Sequence, residues 1–368
     1  MALKAGIVGL PNVGKSTLFN AITNSHVEAA NYPFATISPN TGVVNVPDER
    51  LDFLSDLFKP KKTIPATVEF SDIAGLVKGA SKGEGLGNRF LAHIRLCDAI
   101  VEVVRCFEDS DIIHVENCVD PIRDIEIINL ELCLADLETV NNRLNKVETK
   151  ARVSKDKTAI FEMTILTPIK EALLNGEPVR NLSFTNEQSV FIKENYFFLT
   201  SKPIMYVANV SEDDLSNLEE AIYYQKLCEY LKKEKGKIIP VSCQIESELS
   251  ELGPDEKKEY LYSLGVATSG LDLVIGETYK LLDLSTFFTV GEDECRAWTF
   301  KNGMSANECA GIIHTDFKKG FIRAEVYSYE AIHEFKSEQA VKEAGKLKSE
   351  GKDYLPKDGD IMFFRFNV

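Results

Sequence analysis

The stretch Gly9-Leu10-Pro11-Asn12-Val13-Gly14-Lys15-Ser16-Thr17 constrains this chain more than any other part of it. It satisfies G-x-x-x-x-G-K-[ST], and its flanks are the ones that pattern needs. Ala5-Gly6-Ile7-Val8 before it reads as a buried strand, and Thr17-Leu18-Phe19-Asn20-Ala21-Ile22 after it reads as the start of a helix. Glycines let the backbone wrap closely around phosphate oxygens, so that successive N–H groups and the helix N-terminus point at negative charge. Asn12, Val13, Gly14, Lys15, Ser16 and Thr17 are therefore the expected phosphate-binding residues. Lys15 would bridge the terminal phosphates as a catalytic point charge, and Ser16 would offer its hydroxyl to Mg2+. The pattern implies nucleotide binding on an α/β fold.

A length of 368 residues exceeds one compact core and points to two or three domains. The formal charge of −15 argues against indiscriminate nucleic-acid binding and against DNA specificity, so any RNA contact must come from local basic patches. The eight cysteines are scattered without a C-x-x-C pair. That speaks against a zinc site and a disulfide framework, and for a reducing, cytoplasmic setting. Strand and loop follow directly on Met1-Ala2-Leu3-Lys4, leaving no room for a signal peptide, and no apolar stretch reaches bilayer length. No membrane partner is expected.

Strand-like runs at Ala5–Val8, Thr67–Asp72 and Ala99–Arg105 give way near Ile125 to a long stretch free of Gly and Pro. Leu130, Leu134, Leu137, Val140, Leu144 and Val147 recur there at helical spacing. A second series, Ile160, Met163, Ile165, Leu166, Ile169 and Leu173, follows the polar junction Ser154-Lys155-Asp156-Lys157. The expected structure is an antiparallel helical hairpin; two helices packed flat on the domain are the alternative. Strands resume at Pro203–Asn209 and Ile238–Cys243, which makes the hairpin an insertion. From Leu284 short strands are expected at Arg296–Phe300, Ala310–Ile313, Phe321–Val326 and Ile361–Phe366. The domains so drawn are 1–125 with 200–283 for the nucleotide, 126–199 for the insert, and 284–368 for a small mixed α/β module.

Val68-Glu69-Phe70-Ser71-Asp72-Ile73-Ala74-Gly75 ends a strand in Asp-x-x-Gly. In P-loop switch proteins this Asp stands by the Mg2+ and the glycine N–H senses the γ-phosphate. Thr36 lies where a first switch loop would supply a second hydroxyl to the metal, so the expected metal residues are Ser16, Thr36 and Asp72. Leu76 occupies the place of a water-positioning Gln, and an isobutyl group cannot orient water. The strand ending Asn209-Val210-Ser211-Glu212 departs from Asn-Lys-x-Asp. Val210 has no long stem to cover a ring, and the extra methylene of Glu212 displaces its carboxylate from the guanine N1–H and 2-amino group. Asn209, Val210 and Glu212 are thus the base-site residues, with the reason to reject adenine removed.

This order of elements resembles the translation-factor-related GTPases. The run Asp72-Ile73-Ala74-Gly75-Leu76-Val77-Lys78-Gly79-Ala80-Ser81-Lys82-Gly83-Glu84-Gly85-Leu86-Gly87-Asn88 is similar to that of the YchF (Obg-like ATPase) family. The resemblance covers nearly the whole chain. It implies a P-loop NTPase G domain, an inserted α-helical coiled-coil hairpin and a C-terminal β-grasp (TGS) domain. It also implies a preference for ATP and association with the ribosome or its large subunit. It further implies that His114, in the polar loop after Ala99–Arg105, approaches the γ-phosphate as a catalytic group. Asn12 matches the asparagine with which some P-loop proteins hold K+, a cation that could replace an arginine finger. At the expected hairpin tip Arg143, Lys146, Lys150, Arg152, Lys155 and Lys157 reverse the sign of the chain's charge, which suits ribosomal RNA phosphates. The C-terminal module adds Lys318, Lys319, Arg323, Lys342, Lys346, Lys348, Lys352 and Lys357 as a second basic surface. Two other readings stay open: a nucleotide-gated scaffold with incidental turnover, and a GTPase switch.

Overall fold

The computed structural model describes residues 3–25, 40–75, 86–112, 115, 118–234, 236–263, 266 and 268–367. Thr36, Leu76, His114 and the glycine-rich run 76–85 lie outside the described residues. In chain order the strands are β1 (Lys4–Val8), β2 (Thr41–Asn45), β3 (Lys62–Ile64), β4 (Thr67–Asp72), β5 (Ala99–Arg105), β6 (Ile204–Asn209), β7 (Lys237–Val241), β8 (Leu284–Thr289), β9 (Glu294–Lys301), β10 (Phe321–Ser328), β11 (Lys348–Glu350) and β12 (Asp360–Phe366). The first five helices are α1 (Lys15–Ser25), α2 (Glu49–Phe58), α3 (Leu86–Arg95), α4 (Pro121–Ser154) and α5 (Lys157–Leu174).

The chain forms two compact units, Met1–Gly42 with Glu69–Val274 and Val43–Val68 with Ile275–Val368. The first is built on a sheet of order β2-β4-β1-β5-β6-β7. The pairs β1/β4, β1/β5, β5/β6 and β6/β7 are parallel. A parallel sheet is covered on both faces, so its central strands β1, β5 and β6 are buried runs without alternation; every residue of β5 is buried. Because these strands run the same way, their C-terminal ends share one edge, the usual place for a ligand in such sheets. Gly9, Asp72, Arg105 and Asn209 all emerge there.

The insert is a helical hairpin, as the two apolar series require. Its first helix starts at Pro121, a few residues before the expected Ile125. Asp120 caps it by accepting from Arg123 N at 3.2 Å, and a proline at the first helical position has no N–H to lose. Lys155 turns the chain with φ 49°, and Asp156 caps α5 by accepting from Ala159 N at 3.0 Å. Val140, Leu144, Ile165, Leu166, Ile169 and Leu173 form the hairpin's core, joined by Tyr196 and Phe198.

The second unit holds a mixed sheet of order β11-β10-β12-β8-β9-β3. Its edge strand β3 comes from the segment between Thr36 and Asp72 and pairs with β9 in parallel, Thr63 opposite Cys295. Helix α2 of that segment is docked here as well: the Arg50 guanidinium donates to Asp358 at 2.7 Å and Phe53 meets Tyr329 edge-on. The compact units therefore cut across the boundaries drawn from the sequence, since Val43–Val68 and Ile275–Asp283 go with the C-terminal strands. The expected strand at Ala310–Ile313 is instead the end of a helix, Ala306–Ile313. Ser305 and Glu308 form a capping box at its start, and Ala306 and Cys309 face Phe287, Phe300 and Met362. A short apolar run does not distinguish strand from helix; the cap does.

Candidate nucleotide site

The loop between β1 and α1 has the conformation that phosphate binding needs. Asn12 and Gly14 have φ of 64° and 98°, which turn successive N–H groups inward. A Cβ on Gly14 would stand 2.4 Å from Asn209 Nδ2, so only glycine fits. Leu18 N donates to Gly14 O at 2.9 Å, closing the first turn of α1. That first turn contains no acidic side chain to oppose an anion.

Lys15 is buried, 8% exposed, and its ammonium is ion-paired with Asp72 Oδ1. Ser16 Oγ donates to Asp72 Oδ2 at 3.3 Å. The parallel pairing of β1 with β4 sets Asp72 opposite Ile7 and so brings Asp72 to the loop. Gly75 reaches it too: a Cβ there would lie 3.4 Å from Pro11 N. Lysine, serine and aspartate, widely separated in sequence, thus meet at one point. Ser16 Oγ and Asp72 are hard oxygen donors of the kind Mg2+ takes. Among the described residues no group of three His, Cys, Asp or Glu could hold a metal, so an ion here would depend on phosphate oxygens for further ligands.

At the base end Asn209 is buried, and its amide joins two loops. Nδ2 donates to Val13 O at 2.9 Å and Oδ1 accepts from Cys243 N at 3.0 Å. One N–H and one lone pair remain for other partners. Val210 packs with Val104, Cys106, Ile125 and Tyr206 inside the domain and covers nothing at the surface. Glu212 is exposed and opens the helix Glu212–Ser216, whose cap is Ser211. Two further residues act at this edge. Cys243 supplies the N–H that orients Asn209, while burial pushes its thiol up to about 12 and leaves it inert. Arg105, 1% exposed, donates to Phe107 O at 3.0 Å, Asp109 O at 3.2 Å and Ile112 O at 3.0 Å, ordering the start of the loop that carries His114. A cation at the end of a buried strand was the available signal for it.

At the hairpin tip Lys146, Lys150, Arg152, Lys155 and Lys157 are exposed. Arg143 does not belong with them. Its Nε and Nη2 grip Glu162, Nη2 at 2.9 Å, and the Tyr196 hydroxyl donates to the same carboxylate. Glu162 is 3% exposed, and an unpaired carboxylate there would be costly, so Arg143 is committed to the hairpin itself.

No helix among the described residues is long and apolar enough to cross a membrane. Residues 4–146 match the family model of the 50S ribosome-binding GTPases, and residues 284–367 match the YchF-GTPase_C model, described as a protein of unknown function. The "Ribosome-binding ATPase YchF" of Bacillus subtilis is 56% identical over 368 residues, all of this chain and all of that one. The protein of the same name from Escherichia coli O157:H7 is 52% identical over the same full span. A solved structure, the Schizosaccharomyces pombe YchF GTPase, superposes with a TM-score of 0.89 at 41% identity, covering 99% of this chain and 97% of that one. Identity above one half along the whole of both chains, carried on the same architecture, settles the family: this protein belongs to the YchF family of P-loop proteins.

Proposed function

We propose that this protein is a cytoplasmic, ribosome-associated ATPase that hydrolyses ATP to ADP and phosphate. The observation that carries the preference for adenine is the base end of the site. Val210 is turned into the core and Glu212 is exposed, so neither half of a guanine clamp is built there. Asn209, held by Val13 and Cys243, keeps a spare donor and acceptor for a base edge. Lys15 exchanges the Asp72 carboxylate for β- and γ-phosphate oxygens when nucleotide enters, and Ser16, Thr36 and Asp72 are the residues that would hold Mg2+. Mg2+ held there would supply positive charge to the phosphate oxygens. Water attacks the γ-phosphorus in line, with His114 near it in place of the glutamine that Leu76 replaces, and turnover is slow without an activator.

The partner reading rests on the names of the relatives and on charge. In a chain of net charge −15, the exposed Lys146, Lys150, Arg152, Lys155 and Lys157 form a basic tip suited to RNA of the large subunit. The lysines of the C-terminal unit, which we take to be of TGS type, form a second such surface. Leu76 keeps a second reading in view, a nucleotide-gated scaffold whose turnover is incidental. Equilibrium binding of ATP and GTP to the pure protein tests the main proposal. ATP should bind more tightly, and Val210→Lys with Glu212→Asp should shift preference toward GTP. A tenfold preference of the wild type for GTP, about 1.4 kcal/mol, would overturn it.

A further inference from the structure

Helix α3 follows in sequence directly on the Asp72–Gly75 element and the glycine-rich run, and its C-terminus is held in an unusual way. Leu96 N and Cys97 N close the helix on His93 O and Ile94 O at 3.1 and 3.0 Å. One ammonium takes the carbonyls of Arg95 and Cys97 together: Lys202 Nζ donates to Arg95 O at 3.3 Å and to Cys97 O. A lysine at this end of a helix also opposes its dipole. Lys202 is not a neighbour in sequence. It lies in Ser201-Lys202-Pro203, where the chain leaves the insert and enters β6. Burial holds its pKa below that of an ordinary lysine, so the contact is kept against a desolvation cost.

The residues just before Lys202 are fixed to the insert. Asp136 of α4, 1% exposed, accepts from Leu199 N at 2.9 Å, Thr200 N at 2.8 Å and Thr200 Oγ1 at 2.7 Å. On its other side the end of α3 meets the start of β1, where Asp98 N donates to Lys4 O at 2.7 Å, and reaches the nucleotide edge only through the face of that strand. A Cβ on Gly6 of β1 would stand 2.9 Å from Cys97 Sγ and 2.6 Å from Ile73 Cδ1. Ile73 in turn follows Asp72, the partner of Lys15 and Ser16. The flank of α3 that faces α4 is different. A cleft of about 350 Å3 opens there, lined by Leu91, Arg95, Ala135, Glu138, Thr139 and Asn142. Leu91 and Ala135 are buried at its base, so α3 and α4 touch beneath the cleft and the polar groups stand at its rim.

We propose that Lys202, with Asp136 behind it, is a positioning residue that couples the insert to the nucleotide site. The end of α3 is its pivot, so RNA docked on the insert biases Asp72, and nucleotide biases the insert in return. Linkage makes the two effects equal in binding free energy. The inference rests on the ribosome-associated reading above and extends it by naming the route.

Lys202→Met keeps the aliphatic stem and removes the donors; Lys202→Arg restores donors. Three measurements on the full chain decide: ATP turnover with and without 70S ribosomes, cosedimentation with ribosomes, and hydrogen exchange of α3 and α4 with ADP against a non-hydrolysable ATP analogue. The wild type should change turnover on adding ribosomes. Lys202→Met should still cosediment but lose that response by at least ~5-fold, the low end of ordinary coupling, and Lys202→Arg should recover most of it. A Lys202→Met protein that responds within twofold of wild type overturns the coupling, and so does one that loses response only because it no longer cosediments. If the wild type itself does not cosediment, the ribosome reading fails. Hydrogen exchange then decides alone: a nucleotide-dependent difference in α4 that vanishes in Lys202→Met supports the route, and one that persists removes it.

Discussion

Replacing Asn209 by Asp tests whether the nucleotide loop is shaped by its neighbours before nucleotide arrives. The substitution keeps volume and an acceptor for Cys243 N, but it cannot donate to Val13 O and sets a carboxylate against that carbonyl. Val13 is 1% exposed, so water does not replace the lost donor. Losing the hydrogen bond removes about 1 kcal/mol, and leaving the buried carbonyl unsatisfied adds about 1–3 kcal/mol. Asn12 and Gly14, at φ 64° and 98°, flank Val13, so the loop relaxes when that anchor is lost. Nucleotide must then restore it. The lower figure, about 2 kcal/mol in total, corresponds to a ~30-fold weaker Kd for ATP. At ATP 100-fold above the wild-type Kd, the stabilisation by nucleotide should fall from about 2.7 to about 0.9 kcal/mol. Competition against a fluorescent nucleotide gives Kd, and thermal unfolding with and without ATP gives the second quantity. A Kd within threefold of wild type, with full stabilisation by ATP, would mean that the loop keeps its form without Asn209.

Lys15→Ala and Ser16→Ala should each abolish hydrolysis with the fold intact by circular dichroism, since both side chains serve phosphate and metal; undiminished turnover in either would remove the loop from the active site. Burial raises the pKa of Glu162, but hydrogen bonds from Arg143 and Tyr196 outweigh it and hold the group below its ordinary value. A depressed carboxylate stabilises the fold above its unfolded pKa, about 4.3, and that contribution is lost as pH falls through the folded value. Arg143→Ala should therefore cost about 2–3 kcal/mol at neutral pH, less than a wholly buried pair because Arg143 is half exposed, and flatten the acid limb of the unfolding curve. Reversing Lys150, Arg152 and Lys155 to Glu should weaken ribosome binding and reduce its salt dependence while hydrolysis by the free protein hardly changes; unchanged ribosome affinity would leave the C-terminal unit as the docking surface. Replacing K+ by Na+ should slow turnover, with Asn12→Ala erasing the difference. His114→Ala should lower kcat and leave ATP affinity largely intact, and normal turnover would return that histidine to an ordinary loop residue.

Features that depend on neighbours along the chain were legible from residue order alone. The spacing of Gly9, Gly14, Lys15 and Ser16 specifies a loop whose backbone angles only certain residues tolerate, and the loop has that form. Asp72 and Asn209 were legible because each ends an apolar run, and parallel strands deliver their ends to one edge. The hairpin followed from apolar residues at helical spacing on both sides of a polar junction. The capping box at Ser305 and Glu308 was equally local, and it outweighs the apolar run Ala310–Ile313 that suggested a strand.

Tertiary structure decided the pairings between residues far apart in the chain. Arg143 reads as one basic residue among six until the hairpin closes and sets it against Glu162. Cys243 reads as a core cysteine until its N–H is seen to hold Asn209, and Lys202 as a solvated lysine until it caps a helix more than a hundred residues upstream. Three-residue β3 carries too little pattern to announce its place beside β9. For the three side-chain pairings the deciding quantity is the cost of a buried polar group without a partner. That cost exists only once the fold has excluded water, and the partner is whichever group the topology brings within hydrogen-bond reach.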